Sequence, residues 1–458
     1  MKRKIYDRFF DWKQKEKGRV ALLVEGARRI GKSYIVEAFA KEAYDTYLLI
    51  NFSQVRPTVR EFFENYLDDL DSLFLNLEAY FHTKLLPRTA PDSEARTLII
   101  FDEVQFCPRA REAIKYLVAD RRFDYIETGS LVSIKKNVKD ILIPSEERSV
   151  TMVPMDFEEF LWACGEDALW TAVRKSFDTR TPLPEALHRR TSDLLRRYLI
   201  VGGMPQAVER FLKTNDLTNT DLVKRDILNL YRHDIRRYAD NQETKVAAIF
   251  ENLPGELAKH EKKFNLAALK DGAAMRDYED AFFWLSDAAV VNCCYNATEP
   301  SIGLRLNENR TTVKCYMGDT GLLIAHAFDT ETIEKESLYS KLLTGHLAVN
   351  EGMLIENLTA QMLKAAGHSL FFYSKASTNA ADRMEIDFLL PKRTLNRKHN
   401  ICPVEVKSGR YTRLTSLRKC LEKYPEHLGT PFVLHDAPLK VEDGIVFLPL
   451  YMTPLLPG

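Results

Sequence analysis

Eight residues near the amino terminus, Gly26-Ala27-Arg28-Arg29-Ile30-Gly31-Lys32-Ser33, decide the fold. They match the pattern GxxxxGK[ST], and they stand between a predicted strand at Arg19–Glu25 and a predicted helix at Ser33–Tyr44. The glycines let the backbone wrap around a phosphate and turn its N–H groups inward. The start of the helix adds a partial positive charge that faces the same phosphate. This context favours a phosphate-binding loop over a chance glycine-rich turn.

Two side chains of this loop are expected to carry chemistry. Lys32 is placed to reach the β- and γ-phosphates of ATP, and the Ser33 hydroxyl is placed to ligate Mg²⁺. Arg28 and Arg29 lie inside the loop and are expected near phosphate. ATP and Mg²⁺ are therefore the predicted cofactors. The nucleotide-binding residues predicted for the loop are Gly26, Ala27, Arg28, Arg29, Ile30, Gly31, Lys32, Ser33 and Tyr34.

Short apolar strands alternate with helical patterns over the first 165 residues, which predicts a parallel α/β sheet. An acidic pair, Asp102 and Glu103, ends the strand predicted at Thr97–Phe101. Because ligands of open α/β sheets bind at the carboxyl ends of strands, Asp102 is expected to hold Mg²⁺. Glu103 is expected to act as the general base on the attacking water. The alternative is a solvated acidic pair without chemistry.

Further polar residues follow the predicted strands of this block. Gln105, Thr128 and Ser130 are candidates for sensing the γ-phosphate or positioning water, and the alternative for the two hydroxyls is a helix-capping turn. Arg148 precedes the strand predicted at Val150–Val153. It is a candidate arginine finger, acting in its own subunit or a neighbouring one, and the alternative is an ordinary surface arginine.

The composition limits the partners of the chain. It has 458 residues, with 65 Lys+Arg and 65 Asp+Glu, so no global positive field holds nucleic acid. Contact with DNA would need a local patch, and the basic stretches Arg225–Arg237 and Lys392–His399 are candidates. The alternative for such charge runs is a solvated face. The length and pattern predict three blocks, residues 1–165, 166–330 and 331–458.

The cysteines and the amino terminus favour a cytoplasmic protein. The chain has seven cysteines and no CxxC pair, which is typical of free thiols in the cytosol. No apolar stretch follows the basic start as in a signal peptide, and no run is long enough to cross a membrane. We therefore expect no membrane partner.

The later blocks differ in pattern. Residues 166–330 are predicted mostly helical, with an amphipathic helix at Ala273–Leu285 and strands at Val290–Tyr295 and Lys314–Met317. The last block returns to α/β. Its predicted elements are a helix near Gly352–Ala366 and strands at Leu370–Tyr373, Glu385–Leu390 and Ile401–Val406.

Several motifs together resemble a known family, the prokaryotic AAA-type ATPases with a C-terminal domain of unknown function catalogued as DUF4143. The loop is similar to that family's G-x-R-R-x-G-K-[ST], and the Glu147-Arg148 step departs from its usual Gly-Arg. The resemblance implies an ATP-binding core, a helical and winged-helix middle, and a nuclease-like C-terminal domain. The other matching segments are Leu98–Gln105, Thr128–Ser130, Val153–Phe160, Tyr198–Pro205, Leu285–Ala288 and Tyr316–Leu323.

A second group of charged residues lies in the last block. Glu405 and Lys407 are two apart on a predicted strand, so they share a face, and Asp387 on a neighbouring strand can join them. Glu356 on the preceding helix is expected to complete a metal site. The group resembles the PD-(D/E)xK nuclease pattern, with Asp387, Glu405 and Lys407 as catalytic residues. Solvated charges, or a binding module of nuclease fold that does not cleave, are the alternatives.

Two functions are thus compatible with the sequence. The first is an Mg²⁺-dependent ATPase that couples its nucleotide state to binding or processing of DNA through a nuclease-like tail. The second is a nucleotide-gated switch or scaffold that recruits a protein and cuts nothing. A homo-oligomer and a separate protein partner both stay open, because one domain need not contain a whole catalytic surface.

Overall fold

The computed structural model describes most of the chain, and all structural statements below concern these residues. The described ranges are 1–90, 93–130, 145–239, 241–259, 261–329, 335–344, 351–375, 377, 379, 383–392, 394, 396–408 and 413–457. Within them the chain divides into two compact units, Met1–Val153 and Pro154–Gly458.

The first unit is a layered α/β domain. Its strands are β1 Ala21–Gly26, β2 Thr46–Asn51, β3 Thr97–Asp102, β4 Asp124–Gly129 and β5 Glu147–Met152. Its helices are α1 Ile5–Glu16, α2 Lys32–Ala43, α3 Pro57–Asn65, α4 Leu70–Phe81 and α5 Pro108–Asp120.

The five strands form one parallel sheet in the order β2-β3-β4-β1-β5, which confirms the predicted P-loop architecture. Since all strands run the same way, their carboxyl ends meet at one edge. The loop after β1 and the acidic end of β3 therefore lie at the same edge, with β4 between them. The register also pairs Asn51, the last residue of β2, with Asp102.

Apolar runs form these strands because the sheet is covered on both faces. Every residue of β3 is buried, and Phe101 packs edge-on against both Phe52 and Phe63. Leu23, Ile50 and Tyr125 belong to the same buried cluster. Truncating a large side chain in such a core to alanine typically costs about 2–5 kcal/mol. The edge that carries the polar residues is thus fixed by a rigid apolar layer beneath it.

The second unit begins with a long helical region, as predicted. The helices of the whole unit are α6 Phe157–Ala163, α7 Asp167–Thr179, α8 Glu185–Val201, α9 Pro205–Thr214, α10 Leu217–Tyr238, α11 Glu243–Ala258, α12 Glu279–Asp287, α13 Thr320–Ala327, α14 Lys335–Thr344, α15 Glu351–Ala365 and α16 Thr415–Lys423.

Two sheets complete this unit. One has the order β7-β6-β8-β9 and the other the order β10-β11-β12-β14-β13, which confirms an α/β carboxyl-terminal region. The strands are β6 Val291–Ala297, β7 Glu308–Met317, β8 Phe371–Lys375, β9 Met384–Ile386, β10 Phe388–Pro391, β11 Ile401–Val406, β12 Phe432–His435, β13 Lys440–Glu442 and β14 Ile445–Pro449.

Two predicted elements differ in the structure. The helix predicted over Ala273–Leu285 begins only at Glu279, because the 3₁₀ turn Met275–Asp277 precedes it and the Asp277 carboxylate accepts from the Ala274 N–H. The strand predicted over Glu385–Leu390 is broken into β9 and β10, which belong to different sheets. Asp387 lies at the break, because its side chain turns aside to accept the Val406 N–H at 2.8 Å.

The Gly202-Gly203-Met204-Pro205 turn, predicted to be structural, is tightly enclosed. Gly202 has a φ of +80°, and a Cβ on Gly203 would lie 2.0 Å from the carbonyl oxygen of Met155. The buried Asp319 carboxylate accepts the Gly203 N–H across this turn at 2.5 Å. The two glycines therefore serve close packing of backbone against backbone.

Two further observations concern the state of the cysteine thiols and the apolar character of the helices. All seven cysteines lie in the described part of the chain and are free thiols. Among the residues that the structure describes, no helix combines the length and apolar character of a membrane span.

Candidate functional site

The backbone of the loop Gly26–Ser33 has a shape that requires glycine at both ends. Gly26 has a φ of +145°, and a Cβ there would lie 2.2 Å from the carbonyl oxygen of Met152 on β5. Gly31 has a φ of +86° and is the N-cap of α2. The loop thus curls over the start of α2 with its N–H groups available to an anion.

Lys32 is buried beneath this loop and holds its shape. Its ammonium donates to the carbonyl oxygens of Gly26 at 3.1 Å and Ala27 at 2.9 Å. A lysine ammonium makes charge-assisted hydrogen bonds that transfer readily to phosphate oxygens, which are stronger acceptors. The side chain therefore lies where the sequence predicts a phosphate contact.

The Asp102 carboxylate accepts hydrogen bonds from three side chains of the site. Its Oδ1 accepts from the Ser33 hydroxyl at 2.6 Å and from the Thr128 hydroxyl, and its Oδ2 accepts from the Asn51 amide at 2.8 Å. The structure thus brings together Ser33, Asp102 and Thr128, which the sequence had assigned from three separate segments. Carboxylate and hydroxyl oxygens in contact are the donor set that Mg²⁺ prefers, so these residues fit the cation.

Glu103 and Gln105 lie beside Asp102. Glu103 has a φ of +55°, an uncommon left-handed conformation for a residue with a side chain, and its N–H points to the Thr128 hydroxyl at 3.4 Å. The Gln105 amide donates to the Glu103 carboxylate. The Gln105 carbonyl oxygen is buried and has no hydrogen-bond partner among the described residues. Such backbone strain and unsatisfied polarity concentrate at functional sites.

The remaining predicted residues of this site differ in exposure. Ile30 and Ala27 are buried in the loop, whereas Arg29 and Tyr34 are exposed to solvent and Arg28 is half-buried. Ser130 follows β4 and is half-buried. The exposed side chains can meet a nucleotide only from the outer side of the loop.

Arg148 lies away from the phosphate loop of its own chain. It is the second residue of β5 and pairs in register with Leu22, four residues before Gly26, which is roughly 13 Å along the strand. Its guanidinium forms an ion pair with Glu16 of α1 at 2.7 Å. This contact fits the alternative of a surface arginine, and a finger role in its own or a neighbouring subunit stays a prediction.

The second predicted group is assembled in the C-terminal unit. Lys407 donates to the Glu405 carboxylate, and burial, followed by the charge of Asp387, raises the pKa of Glu405. Burial also raises the pKa of Asp387, with Glu356 as the next cause. The other Glu405 oxygen is buried and has no hydrogen-bond partner among the residues that the structure describes. Asp387, Glu405 and Lys407 thus share one cluster, as predicted, in which Glu405 is buried and the other two are half-buried.

Glu356 joins this cluster, but lysines and a tyrosine surround it. Its Oε1 accepts from the Tyr316 hydroxyl at 2.5 Å and lies 3.3 Å from the Lys314 ammonium, while Lys262 binds Oε2. Burial alone would raise the pKa of this carboxyl, but the charges of Lys314 and Lys262 lower it below its usual value. Glu356 is therefore a charged partner of two ammonium groups.

These residues do not fit a divalent metal. Both Glu356 oxygens are engaged by hydrogen-bond donors, and Oδ2 of Asp387 is engaged by a backbone N–H. In the described ranges, no group of three or more His, Cys, Asp or Glu side chains is arranged to hold a metal ion. Two of the donors to Glu356 are ammonium groups, which oppose a second cation by charge, whereas only neutral hydroxyl and amide groups donate to Asp102.

Three basic side chains of the two basic stretches pair with acids. In Arg225–Arg237, Arg225 binds Asp221 at 2.7 Å and Arg232 binds Glu251 at 2.8 Å. In Lys392–His399, Lys398 pairs with Glu426 at 2.6 Å, and positions 393 and 395 lie outside the described residues. These pairs reduce the positive charge that either stretch offers to phosphate.

Some residues of the two clusters were missed by sequence reasoning. Asn51 had a usable signal, since it is a polar residue that ends a buried parallel strand. Lys262, Lys263 and Lys314 had none, because they lie far from the C-terminal motif along the chain. Only the folded structure brings them to it.

Two family matches cover the segments that contain the phosphate loop and the C-terminal cluster. Residues 18–161 match the family described as AAA domain, and residues 351–452 match the family described as a domain of unknown function, DUF4143. Both matches confirm the resemblance drawn from the motifs. Residues 192–332 match a further domain of unknown function, DUF8612, which the motifs did not predict. Among curated proteins, no relative matches the chain.

Solved structures of low identity share parts of the fold. A Walker-type ATPase of Pyrococcus abyssi is 14% identical, with 71% of this chain and 95% of that chain covered and a TM-score of 0.38. The Orc1 protein of Aeropyrum pernix in complex with DNA is 12% identical, with 71% and 92% covered and a TM-score of 0.25. AMPPCP-bound DnaA from Aquifex aeolicus is 11% identical, with 76% and 95% covered and a TM-score of 0.24. Such low scores carry no argument about this chain.

Proposed function

Because the chain is an AAA-type P-loop protein with a C-terminal DUF4143 domain, we propose that it binds ATP and hydrolyses it with the help of Mg²⁺. The observation that carries this proposal is the contact of the Ser33 hydroxyl with Asp102, 2.6 Å apart, directly below the glycine-curled loop. This contact joins the two motifs that an NTPase requires at the same sheet edge.

Each residue has a defined role in this proposal. The loop N–H groups and Lys32 bind the phosphates, exchanging the two carbonyl contacts of Lys32 for phosphate oxygens. Ser33 and Asp102 would hold Mg²⁺, which supplies charge neutralisation at the transferred phosphate. Glu103, oriented by Gln105, accepts a proton from the attacking water. Thr128 fixes the Asp102 carboxylate from the side of β4.

Nucleotide binding is tested by replacing Lys32. Lys32→Ala is expected to lower the affinity for a fluorescent ATP analogue by at least about tenfold, since a charge-assisted contact contributes about 1.5–3 kcal/mol. Lys41→Ala is the matched control, because Lys41 lies on the same helix, is exposed and pairs with Glu37 at 2.7 Å, away from the loop. Equal affinity of Lys32→Ala and wild type would refute the proposal.

Hydrolysis is tested separately by Glu103→Gln, which keeps the size of the side chain and removes its basicity. We expect ATP binding close to that of the wild type, with turnover reduced by about 10²-fold or more. If Glu103→Gln hydrolyses ATP at the wild-type rate, Glu103 is not the general base.

Two proposals describe what ATP binding and hydrolysis control in this protein. One is coupling to DNA binding or cleavage by the C-terminal domain. The other is a switch that recruits a partner through a non-cleaving domain, and the lysines around Glu356 favour it. Metal-dependent cleavage of DNA or RNA that Asp387→Ala abolishes would select the first. Stimulation of ATP turnover by a nucleic-acid panel without any cleavage would show DNA coupling without a nuclease.

A further inference from the structure

Three carboxylates of the C-terminal cluster point at one ammonium group. The Lys314 Nζ lies 2.9 Å from Glu385, 3.3 Å from Glu356 and 3.7 Å from Asp387. The side chain of Lys314 is only 2% exposed, and the ring of Phe372 covers it at 5.0 Å. A buried ammonium is stable only when opposite charges compensate for its lost hydration, and these three carboxylates do so.

Lys314 does not come from the DUF4143 segment. It lies on β7, within residues 192–332, and the antiparallel pair β6–β7 joins the C-terminal strands because β6 pairs in parallel with β8. The segment before α12 brings two more lysines, since Lys263 forms an isolated bridge with Lys314. Lys263 binds Glu385 at 3.2 Å and Lys262 binds Glu356. Residues outside the DUF4143 match therefore supply three of the positive charges.

The cluster is balanced in formal charge. It contains four carboxylates, Glu356, Glu385, Asp387 and Glu405, and four ammonium groups, Lys262, Lys263, Lys314 and Lys407. Four minus four leaves no excess negative charge to attract a divalent cation. Burial would lower the pKa of Lys314, but the charges of Glu356, Asp387 and Glu385 raise it well above its usual value. These three carboxylates thus favour the charged form of Lys314.

We propose that the Lys314 ammonium occupies the position of the divalent cation in a nuclease-like carboxylate cluster, so that the C-terminal domain works without metal and does not cleave nucleic acid. The lysine holds the β6–β7 pair onto the C-terminal strands through charge. This inference is independent of ATP hydrolysis, because none of its residues belongs to the phosphate loop.

The first test measures Mn²⁺ binding to the full chain without nucleotide, by the loss of the free-ion electron paramagnetic resonance signal. We expect wild type and Asp387→Asn to give the same titration. Mn²⁺ binding by the wild type that disappears in Asp387→Asn but persists in Lys32→Ala would overturn the proposal. This test does not require any variant of Lys314 to fold.

The second test removes the ammonium. Lys314→Met keeps the length of the side chain and leaves one negative charge in excess, so Mn²⁺ is expected to raise its unfolding midpoint by a few degrees while leaving that of the wild type unchanged. Lys263→Met is the matched control, because it removes the same charge from the half-buried rim, and a much smaller shift is expected. A folded Lys314→Met protein without any Mn²⁺ shift would contradict the proposal.

Charge balance gives a third measurement. The double variant Lys314→Met, Glu385→Gln restores three charges of each sign, and it should lose the Mn²⁺ shift and recover part of the stability. If the double variant is no more stable than Lys314→Met, the role assigned to charge is wrong.

Discussion

Asp102 accepts hydrogen bonds from three side chains, and Asn51 is the one that no nucleotide motif contains. The Asn51 amide donates to Oδ2 of Asp102 at 2.8 Å, while its own oxygen accepts the Ser53 N–H at 3.0 Å. Both ends of the Asn51 amide are therefore held. This arrangement fixes the orientation of the carboxylate that is proposed to bind Mg²⁺.

We predict that Asn51→Ala lowers the turnover of ATP about tenfold, because a hydrogen bond to a charged group contributes about 1.5 kcal/mol or more. Steady-state phosphate release measures this. Asn51→Asp should be more harmful, since it places a second negative charge against Asp102. Ser53→Ala is the milder comparison, because it removes the Ser53 hydroxyl from the Asn51 oxygen but leaves the Ser53 N–H that holds the same oxygen. Unchanged turnover in Asn51→Ala would mean that Asp102 is oriented without it.

At the scale of elements, α11 contains two residues that weaken a helix. Pro254 lacks the N–H of a helix interior, and the exposed Gly255 that follows it adds backbone freedom in the unfolded chain. A Cβ on Gly255 would meet no atom within 4 Å. The site therefore tolerates a side chain.

Gly255→Ala is accordingly expected to stabilise the protein by roughly 0.5–1 kcal/mol, measured by urea unfolding. Gly203→Ala is the opposite case, since its Cβ would lie 2.0 Å from a carbonyl oxygen, and it should be clearly destabilising. A lower free energy of unfolding in Gly255→Ala would show that the backbone at this position adopts a conformation that is unfavourable for alanine.

The strands next to β1 carry a buried pair of acids around one arginine. Arg111 of α5 lies 3.6 Å from Glu127 of β4 and 3.1 Å from Glu147 of β5. Burial, followed by the neighbouring Glu147, raises the pKa of Glu127 well above its ordinary value of 4.5. Folded protein therefore keeps a proton on Glu127 at a pH where the unfolded chain has lost it.

Since the folded state binds more protons, this group makes stability fall as pH rises above that ordinary value. Glu127→Gln cannot titrate, so its stability relative to wild type should increase between about pH 5 and about pH 8. Urea unfolding at both pH values measures the difference. The control is Glu112→Gln, a half-buried position at which the carboxylate pairs with Arg109. A stability difference that does not change with pH would refute the raised pKa.

At the scale of the whole molecule, each unit has its own apolar core. In Pro154–Gly458, Phe371, Ile386, Leu389 and Val433 are buried in one cluster. We predict that residues 154–458 expressed alone fold and unfold cooperatively, because a domain with its own core is stable without its neighbour. Circular dichroism with urea unfolding checks this. A fragment with helical signal but no cooperative transition would show that the unit depends on residues 1–153.

Much of the fold was predictable because its signals are local. The bounds of β11 agree with the predicted Ile401–Val406, and those of β3 differ from the predicted Thr97–Phe101 by one residue. A prediction failed where a distant contact overrode a local pattern. Asp387 lies at the break in an apparently continuous strand, where its side chain accepts the Val406 N–H. This partner is not visible in the neighbouring sequence.

The sequence by itself determined the phosphate loop, because its glycine angles, the cap of α2 and the apolar strand before it all arise within a few consecutive residues. It also indicated three carboxylates of the C-terminal cluster, Glu356, Asp387 and Glu405, but not Glu385. The lysines that neutralise these carboxylates could be identified only in the folded protein. Lys314 meets Glu356 from 42 residues away, through pairing of strands that belong to different segments. The charge of a buried cluster depends on all groups that surround it, and spacing along the chain does not encode that sum.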